Sequence, residues 1–237
     1  MALPKIGYPT YELDLPSTGK TIKYRPFLVK EEKVLLMALE SEDEKQVIGA
    51  VKDLIKNCVI SRIKVENLPS FDLEYLFLKI RGASIGEIIT LTVTCLDDNE
   101  TTVETEININ DIEVFKPEGH SPKIDFEDGM GIMMKYPSMQ QFIEREFLQK
   151  DLKTEEVYDF IAESIEQIFT EEEVFDKSTT TKKEFRTFVD GLTTKQFEKI
   201  QQFYTTCPKL SHKFTVINPK TGKDSEYTIE GLQSFFA

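Results

Sequence analysis

The sequence predicts an α+β fold with two halves, each carrying a β-hairpin and amphipathic helices. Apolar residues alternate with polar ones in several short segments, which is the period of a half-buried strand. Between these segments apolar residues recur at the three- and four-residue spacing of amphipathic helices. Hydrophobic residues make up 40% of the 237-residue chain and charged residues 30%. That composition is typical of a globular protein and excludes a disordered chain.

The N-terminal half begins with a predicted strand pair, residues 11–15 and 22–25, around a Pro-Ser-Thr-Gly turn. Two helices should follow, with an interruption at residues 41–43. A third helix, residues 72–81, is apolar nearly all round, which indicates that it is buried on every side or contacts a partner. The residues expected on one side of the first helix are Val34, Leu35, Leu36 and Leu39.

The remaining predicted elements follow the same two patterns. They are a hairpin over 87–109, a hairpin at 124–126 and 132–134, helices at 137–147, 157–169, 182–189 and 194–204, and a hairpin at 214–216 and 227–229. Pro117, Gly119 and Pro122 cluster between the halves and indicate a boundary. The predicted domains are therefore an N-terminal α+β region, 1–118, and a mainly helical region with a C-terminal hairpin, 119–237.

Two hairpin tips echo each other in sequence. Leu91-Thr-Val-Thr-Cys-Leu-Asp-Asp-Asn99 and Lys213-Phe-Thr-Val-Ile-Asn-Pro-Lys-Thr-Gly222 both read as a strand followed by a tight polar knuckle. A zinc ribbon carries Cys-x-x-Cys in that knuckle, because two thiolates at this spacing bind one tetrahedral ion. Here the paired positions hold Cys95 with Asp98 and Asn218 with Thr221. We therefore predict degenerate zinc-ribbon-like knuckles without metal.

Charge, hydrophobicity and cysteine content limit the partners and the cellular compartment that are expected for this chain. The net charge of −13 makes nucleic acid a poor partner, since phosphate binding depends on cations. No apolar run reaches the ~20 residues of a membrane helix. Three scattered cysteines predict a reducing cytoplasm. Residues 151–176 carry a net charge of −9 and residues 177–223 a net charge of +7. These charges either keep helix faces in contact with solvent or orient a protein partner.

No residue pattern indicates catalysis. The chain lacks a nucleophile elbow, a phosphate loop and a dinucleotide-binding glycine motif. Neither His120 nor His212 has a neighbouring motif of the metalloprotease kind, and His120 stands in Pro-Glu-Gly-His-Ser-Pro, a loop composition. Both histidines are therefore expected at the surface. The acids Asp97, Asp98 and Glu100 favour a solvated turn, with a metal-dependent enzyme as the alternative. We expect no catalytic residue, metal, cofactor or small-molecule substrate.

Five phrases resemble one phage family over essentially the whole chain. They are Leu13-Asp-Leu-Pro-Ser-Thr-Gly-Lys20, Ile22-Lys-Tyr-Arg-Pro-Phe-Leu-Val-Lys-Glu-Glu-Lys33, Phe71-Asp-Leu-Glu-Tyr-Leu-Phe-Leu-Lys-Ile-Arg81, Gly131-Ile-Met-Met-Lys-Tyr-Pro137 and Thr228-Ile-Glu-Gly-Leu-Gln-Ser-Phe-Phe236. The chain thereby resembles the baseplate hub assembly proteins of T-even-like contractile-tailed phages, as found in marine and cyanobacterial myoviruses.

This resemblance implies a non-enzymatic hub component or hub assembly chaperone. Its partners would be other phage tail or baseplate hub proteins. Its location would be the cytoplasm of the infected bacterial host or the virion baseplate. A general protein adaptor is a further alternative. The candidate partner-binding residues, for which core packing competes as an explanation, are Leu232, Phe235 and Phe236 near the C-terminus and Tyr75 and Phe77 in the third helix.

Overall fold

The computed structural model describes residues 7–41, 43–126, 129–138, 141 and 154–231. Its helices there are α1 (Val29–Glu40), α2 (Glu44–Cys58), α3 (Ser70–Ile85), α4 (Thr154–Ser164), α5 (Lys182–Asp190) and α6 (Thr194–Thr205). Its strands are β1 (Tyr11–Asp14), β2 (Thr21–Tyr24), β3 (Ile88–Thr94), β4 (Thr102–Asn108), β5 (Glu113–Phe115), β6 (Lys123–Asp125), β7 (Gly131–Met134), β8 (Ile165–Phe169), β9 (Val174–Asp176), β10 (Lys209–Ile217) and β11 (Asp224–Glu230). Helices mixed with small antiparallel sheets confirm the predicted α+β class.

The chain forms two compact units. Unit 1 contains the described residues up to Phe115 and those from Lys209 onward, and unit 2 contains those from Lys116 to Pro208. The C-terminal hairpin lies in unit 1, because β10 pairs with β5, whereas the sequence grouped it with the helical region. The domain limits 1–118 and 119–237 stay a prediction, since compactness does not establish which segments fold independently.

Helix α3 is the centre of unit 1. Its side chains are buried on several sides, with Leu76, Leu78 and Ile80 fully inaccessible to solvent. The hairpin of β1 and β2 is tied to it through the turn, because Asp72 accepts hydrogen bonds from the Ser17 backbone N–H (2.9 Å) and from the Ser17 hydroxyl. The near-continuous apolar composition of this helix is therefore explained by burial.

Two further hairpins of unit 1 share one hydrophobic core with α3. Strands β3 and β4 pair from Ile88↔Asn108 to Thr94↔Thr102, as their alternation predicts. Strand β10 lies between β11 and β5 in a three-stranded sheet. The buried residues that join these elements are Leu78, Ile89, Leu91, Ile107, Ile109, Ile112 and Leu210.

Unit 2 packs helices on a four-stranded antiparallel sheet of order β6-β7-β8-β9. Ile132, in the inner strand β7, is fully buried and shares a hydrophobic core with Ile161 of α4 and Phe185 of α5. Gly131 begins this strand where a β-carbon would lie 2.6 Å from Phe169 Cε2, closer still to Phe169 Cζ, and 2.7 Å from the Ile124 carbonyl oxygen. The close approach of strand and ring therefore requires glycine at this position.

The predicted single helix over 157–169 is wrong in its second part. Helix α4 ends at Ser164, and residues 165–169 form β8, which pairs with β7. A bulge shifts the register between Met133 and Met134, so Ile165 and Ile168 are both buried although they stand three residues apart. The bulge thus gives a strand the spacing of a helix. The predicted helix at 137–147 lies largely outside the described residues.

Candidate interaction surfaces

Helix α1 is held in place by a buried ion pair. The Arg25 guanidinium lies 3.0 Å from a carboxylate oxygen of Glu31, and their side chains are only 10% and 5% exposed. Arg25 also donates to the carbonyl oxygen of Asn57 at 2.9 Å, and Glu31 accepts the backbone N–H of Leu28 at 2.6 Å. One arginine therefore joins the start of α1 to the end of α2.

Electrostatics favour the charged form of this pair. Burial by itself would raise the pKa of Glu31. The hydrogen bonds from Arg25 and from the backbone of Leu28, with the charges of Arg25 and Lys30, outweigh burial and hold that pKa below its ordinary value. The carboxylate consequently stays ionised at neutral pH and stays bound to Arg25.

The outer side of α1 carries exposed apolar side chains among charged ones, which include Lys30 and Lys33. Leu35 and Ala38 are buried, whereas four apolar side chains of the helix are exposed: Val29 (81%), Met37 (60%), Val34 (53%) and Leu36 (52%). These four residues are called the α1 apolar face. The sequence placed Val34 and Leu36 with Leu35 on one side, and that expectation is wrong, because the buried side follows Glu31, Leu35 and Ala38.

A groove between α1 and α2 adjoins this face. Its volume is about 340 Å³. Val34 and Leu54 supply its apolar lining, and Lys30 and Asp53 place opposite charges beside it. Exposed apolar side chains beside a groove are a feature of interaction sites on protein surfaces.

The five partner-binding residues named from the sequence have different positions. Phe77 is 1% exposed, inside the core of unit 1. Tyr75 is partly buried and packs against the core of β3, β4 and β10, with the Lys79 ammonium 5.1 Å from its ring centre. Leu232, Phe235 and Phe236 lie outside the described residues. Partner binding by these side chains stays a prediction.

The acids near Asp97 are engaged in hydrogen bonds within the chain. Asn218 Nδ2 donates to a carboxylate oxygen of Asp97 at 2.8 Å and to one of Asp98 at 3.0 Å. Asp98 also accepts the Thr101 hydroxyl (2.6 Å) and the backbone N–H groups of Thr101 and Glu100 (3.0 Å each). The Thr101 hydrogen bonds chiefly lower the pKa of Asp98, and the Asn218 hydrogen bond lowers that of Asp97.

These bonds occupy the oxygens that a metal ion would need. Within the described part of the chain, no three His, Cys, Asp or Glu side chains form a group able to hold an ion. A cavity of about 450 Å³ in unit 2 is lined by Lys135, Lys177 and Lys182 with Glu163, but Lys182 pairs with that carboxylate. In the same cavity, the Ser164 hydroxyl donates to the carbonyl oxygen of Phe160 and the Lys177 ammonium donates to that of Glu163.

His120 is a core residue, and the expectation of a surface histidine is wrong. It is 7% exposed and stacks on the rings of Tyr136 and Phe203. The hydroxyl of Thr206 donates to the Gln202 carbonyl oxygen, so His120 Nδ1–H must donate to Thr206, at 2.8 Å. Nε2 then accepts from the Tyr136 hydroxyl at 3.1 Å. Desolvation, aided by Lys116, lowers the pKa of His120.

The two charge blocks meet each other inside unit 2. Arg186 of α5 lies 2.6 Å from a carboxylate oxygen of Glu155 and 3.4 Å from one of Asp159, both on α4. Lys182 pairs with Glu163 in the same way. These contacts use part of both blocks for helix packing, and each exposed pair contributes little stability. A role of the remaining charges in orienting a partner stays a prediction.

A comparison with protein families finds one match. The family model of the T4 bacteriophage base plate protein matches residues 8–237. No curated protein and no solved structure matches the chain. Within the residues that the structure describes, no helix is both long enough and apolar enough to cross a membrane. Because the family match runs through both units, the chain belongs to the T4 bacteriophage base plate protein family, which gives it a structural role in a phage tail baseplate among other baseplate or tail proteins.

Proposed function

We propose that the chain is a non-enzymatic component of the central hub of the baseplate, or a chaperone of hub assembly, and that it acts through protein–protein contacts. The resemblance of its phrases to hub assembly proteins supports the hub over other parts of the baseplate. The observation that carries the proposal is the α1 apolar face, which offers a contact surface without reactive groups.

The energetics of this face suit a partner contact. Burial of one Val, Leu or Met side chain contributes about 1.5–3 kcal/mol. Several such side chains on one helix therefore supply a useful part of a binding free energy. The helix itself is fixed by Arg25 and Glu31, so binding orders few additional groups and loses little affinity to entropy.

Two alternatives predict other observations. A metal-dependent enzyme would need free ligands near Asp97, where the carboxylates instead accept protein hydrogen bonds. Metal analysis of the purified protein tests this alternative. A general protein adaptor would be encoded away from tail genes, whereas a hub protein should be encoded beside genes for the tail tube, the tape measure or the baseplate wedge.

The experiment is a pull-down from infected cells with a double variant of the α1 apolar face, Leu36→Gln with Met37→Gln. Both side chains are exposed, so the variant should fold normally and lose tail or baseplate proteins from the captured material. Ile217→Gln is the matched control, because Ile217 is 64% exposed on β10 and lies outside the face. Equal capture by both variants would contradict the proposal.

A second measurement separates a hub component from an assembly chaperone. Purified virions should contain the chain if it is a hub component. If it is a chaperone, the chain should be present in infected cells and absent from virions.

A further inference from the structure

The hairpin tips at residues 95–101 and 218–223 have the same backbone design. In each tip the backbone N–H of the fifth residue, Asn99 or Gly222, donates to the carbonyl oxygen of the first residue, at 2.9 and 2.8 Å. That fifth residue has a positive φ in both tips, +55° and +72°. The N–H of the first residue donates to the returning arm at 2.7 and 2.8 Å. The two tips are therefore similar in backbone structure as well as in sequence.

The two tips meet through side chains at the positions that hold zinc in a ribbon. Those positions are the first and fourth residues of each knuckle, here Cys95, Asp98, Asn218 and Thr221. Asn218 Nδ2 lies 3.0 Å from an oxygen of Asp98, which joins one position of each knuckle. Cys95 and Asn218 are each 1% exposed, so the first positions of both knuckles are turned inward.

Hydrogen bonds link the tips across 120 or more residues of chain. Asn218 donates to Asp97 and to Asp98, and the Thr221 hydroxyl donates to Asp97. The Tyr227 hydroxyl adds a bond of 2.7 Å to the carbonyl oxygen of Thr94, beside the knuckle. Below the tips, both hairpins contribute to one hydrophobic core. The contacts therefore close the open end of a packed hairpin pair.

The chemistry of the donors argues against zinc in the native chain. Only one of the four positions is a thiol, and desolvation together with the carboxylates of Asp98 and Asp97 raises the pKa of Cys95. Zinc binding needs thiolates or neutral imidazoles with unoccupied lone pairs. Here the two carboxylates already accept amide and hydroxyl donors.

We infer that the two knuckles are the framework of a zinc-ribbon site in which a hydrogen-bonded clasp replaces the ion. The clasp consists of Asp97 and Asp98 on one tip and Asn218 and Thr221 on the other. Both tips keep the same hydrogen-bonded turn with a positive φ at its fifth residue, and the polar side chains cross-link the hairpins as an ion would. This inference is independent of the proposed hub function.

The first test restores the ligands. The triple variant Asp98→Cys, Asn218→Cys and Thr221→Cys, with the native Cys95, would present four thiolates. Under reducing conditions we expect it to bind one Co²⁺ or Zn²⁺ per chain, with the absorption of tetrahedral thiolate-bound cobalt. Chelation should then lower its melting temperature, because the metal stabilises only the folded chain.

A matched control tests whether metal binding depends on the exact positions of the added cysteines. The variant Asp97→Cys, Pro219→Cys and Lys220→Cys adds the same number of cysteines to the same tips, one residue out of place. It should show no tetrahedral cobalt spectrum. Equal spectra from both variants, or no stoichiometric binding by the triple variant, would overturn the inference, even if the triple variant remains unfolded when metal is added.

The second test examines the clasp in the native chain. Asp98→Ala and Asn218→Ala each remove one side of it, and the double variant should lower the melting temperature by less than the sum of the two single changes. Strictly additive shifts would show that the two residues do not interact and would overturn the clasp. This cycle needs no metal and uses the full chain.

Discussion

Replacement of Arg25 by Met should destabilise unit 1 strongly. Arg25 is 8% exposed and donates to the Glu31 carboxylate (3.0 Å), to the carbonyl oxygens of Pro26 (2.8 Å) and Asn57 (2.9 Å), and to the Cys58 sulfur (3.7 Å). The variant leaves a buried carboxylate that retains only the backbone N–H of Leu28 and the mostly exposed Lys30. Loss of one partner of a buried ion pair costs about 3–5 kcal/mol.

The assay is urea unfolding of the full chain, followed by circular dichroism. A loss of this size should also lower the melting temperature by roughly 6–20 °C, since 1 kcal/mol shifts a chain of this size by about 2–4 °C. Arg25→Lys, which keeps the charge but loses the forked geometry, should fall between the native chain and Arg25→Met. Arg25→Met combined with Glu31→Leu should recover part of the loss, because no buried charge then remains.

The pH dependence gives an independent check of this pair. The folded pKa of Glu31 is lower than its unfolded pKa, so the ion pair contributes its stability fully above about pH 4.3. That contribution is lost as the pH falls through the folded value, and Arg25→Met should lack this acid-dependent loss. An Arg25→Met variant with an unfolding free energy within about 1 kcal/mol of the native value would contradict this prediction, because an exposed ion pair contributes no more than that.

Three further predictions concern other parts of the chain. Gly131→Ala should destabilise unit 2 by about 1–3 kcal/mol in urea unfolding, because a β-carbon would clash with the Phe169 ring. The control is Gly49→Ala on α2, where a β-carbon meets open space, and it should stabilise the chain by about 0.5–1 kcal/mol. Because burial lowers the pKa of His120, the unfolded chain binds its proton first, and stability should decline as the pH falls below about 6.5. In His120→Gln the melting temperature should fall less as the pH is lowered. A melting temperature that depends on pH as in the native chain would contradict this prediction. Deletion of residues 232–237 removes three large apolar side chains worth about 1.5–3 kcal/mol each when buried, so it should lower the melting temperature or abolish partner capture. A truncated chain unaffected in both assays would contradict that expectation.

Short-range patterns predicted most of the elements. The alternation in 87–109 predicted β3 and β4, because one face of that hairpin is buried. Apolar and polar residues then alternate every second position, which assigns each residue to the buried or the exposed face of the hairpin. The same logic failed at 165–169, where the bulge opposite Met133 and Met134 changes the period of the strand. It failed again at α1, where apolar residues occur on both sides of the helix and the spacing does not distinguish them.

The phrases that carry the family resemblance also hold unit 1 together. Ser17, in the first phrase, binds Asp72, in the third. Arg25 and Glu31, both in the second phrase, form the buried ion pair. The resemblance therefore marks residues that build the scaffold, and it does not by itself identify the surface that contacts a partner.

Long-range contacts were beyond the sequence patterns. Asp97 and Asn218 are 121 residues apart, and the echo of the knuckles gave no sign that their tips touch. His120 stands in a stretch of loop composition, but Tyr136 and Phe203, distant in sequence, bury it. Prediction of the Asp97–Asn218 contact, or of the burial of His120, would require knowledge of which helices and strands pack together.

Cross-linking in infected cells tests whether the α1 apolar face contacts a protein of the baseplate hub. Lys30 and Lys33 are exposed on α1 beside the α1 apolar face and accept amine-reactive cross-linkers. We expect these lysines to link to a protein of the baseplate hub, and we expect Leu36→Gln with Met37→Gln to remove those links. Links from α1 only to proteins outside the tail, or links to the hub that persist in the double variant, would contradict this expectation.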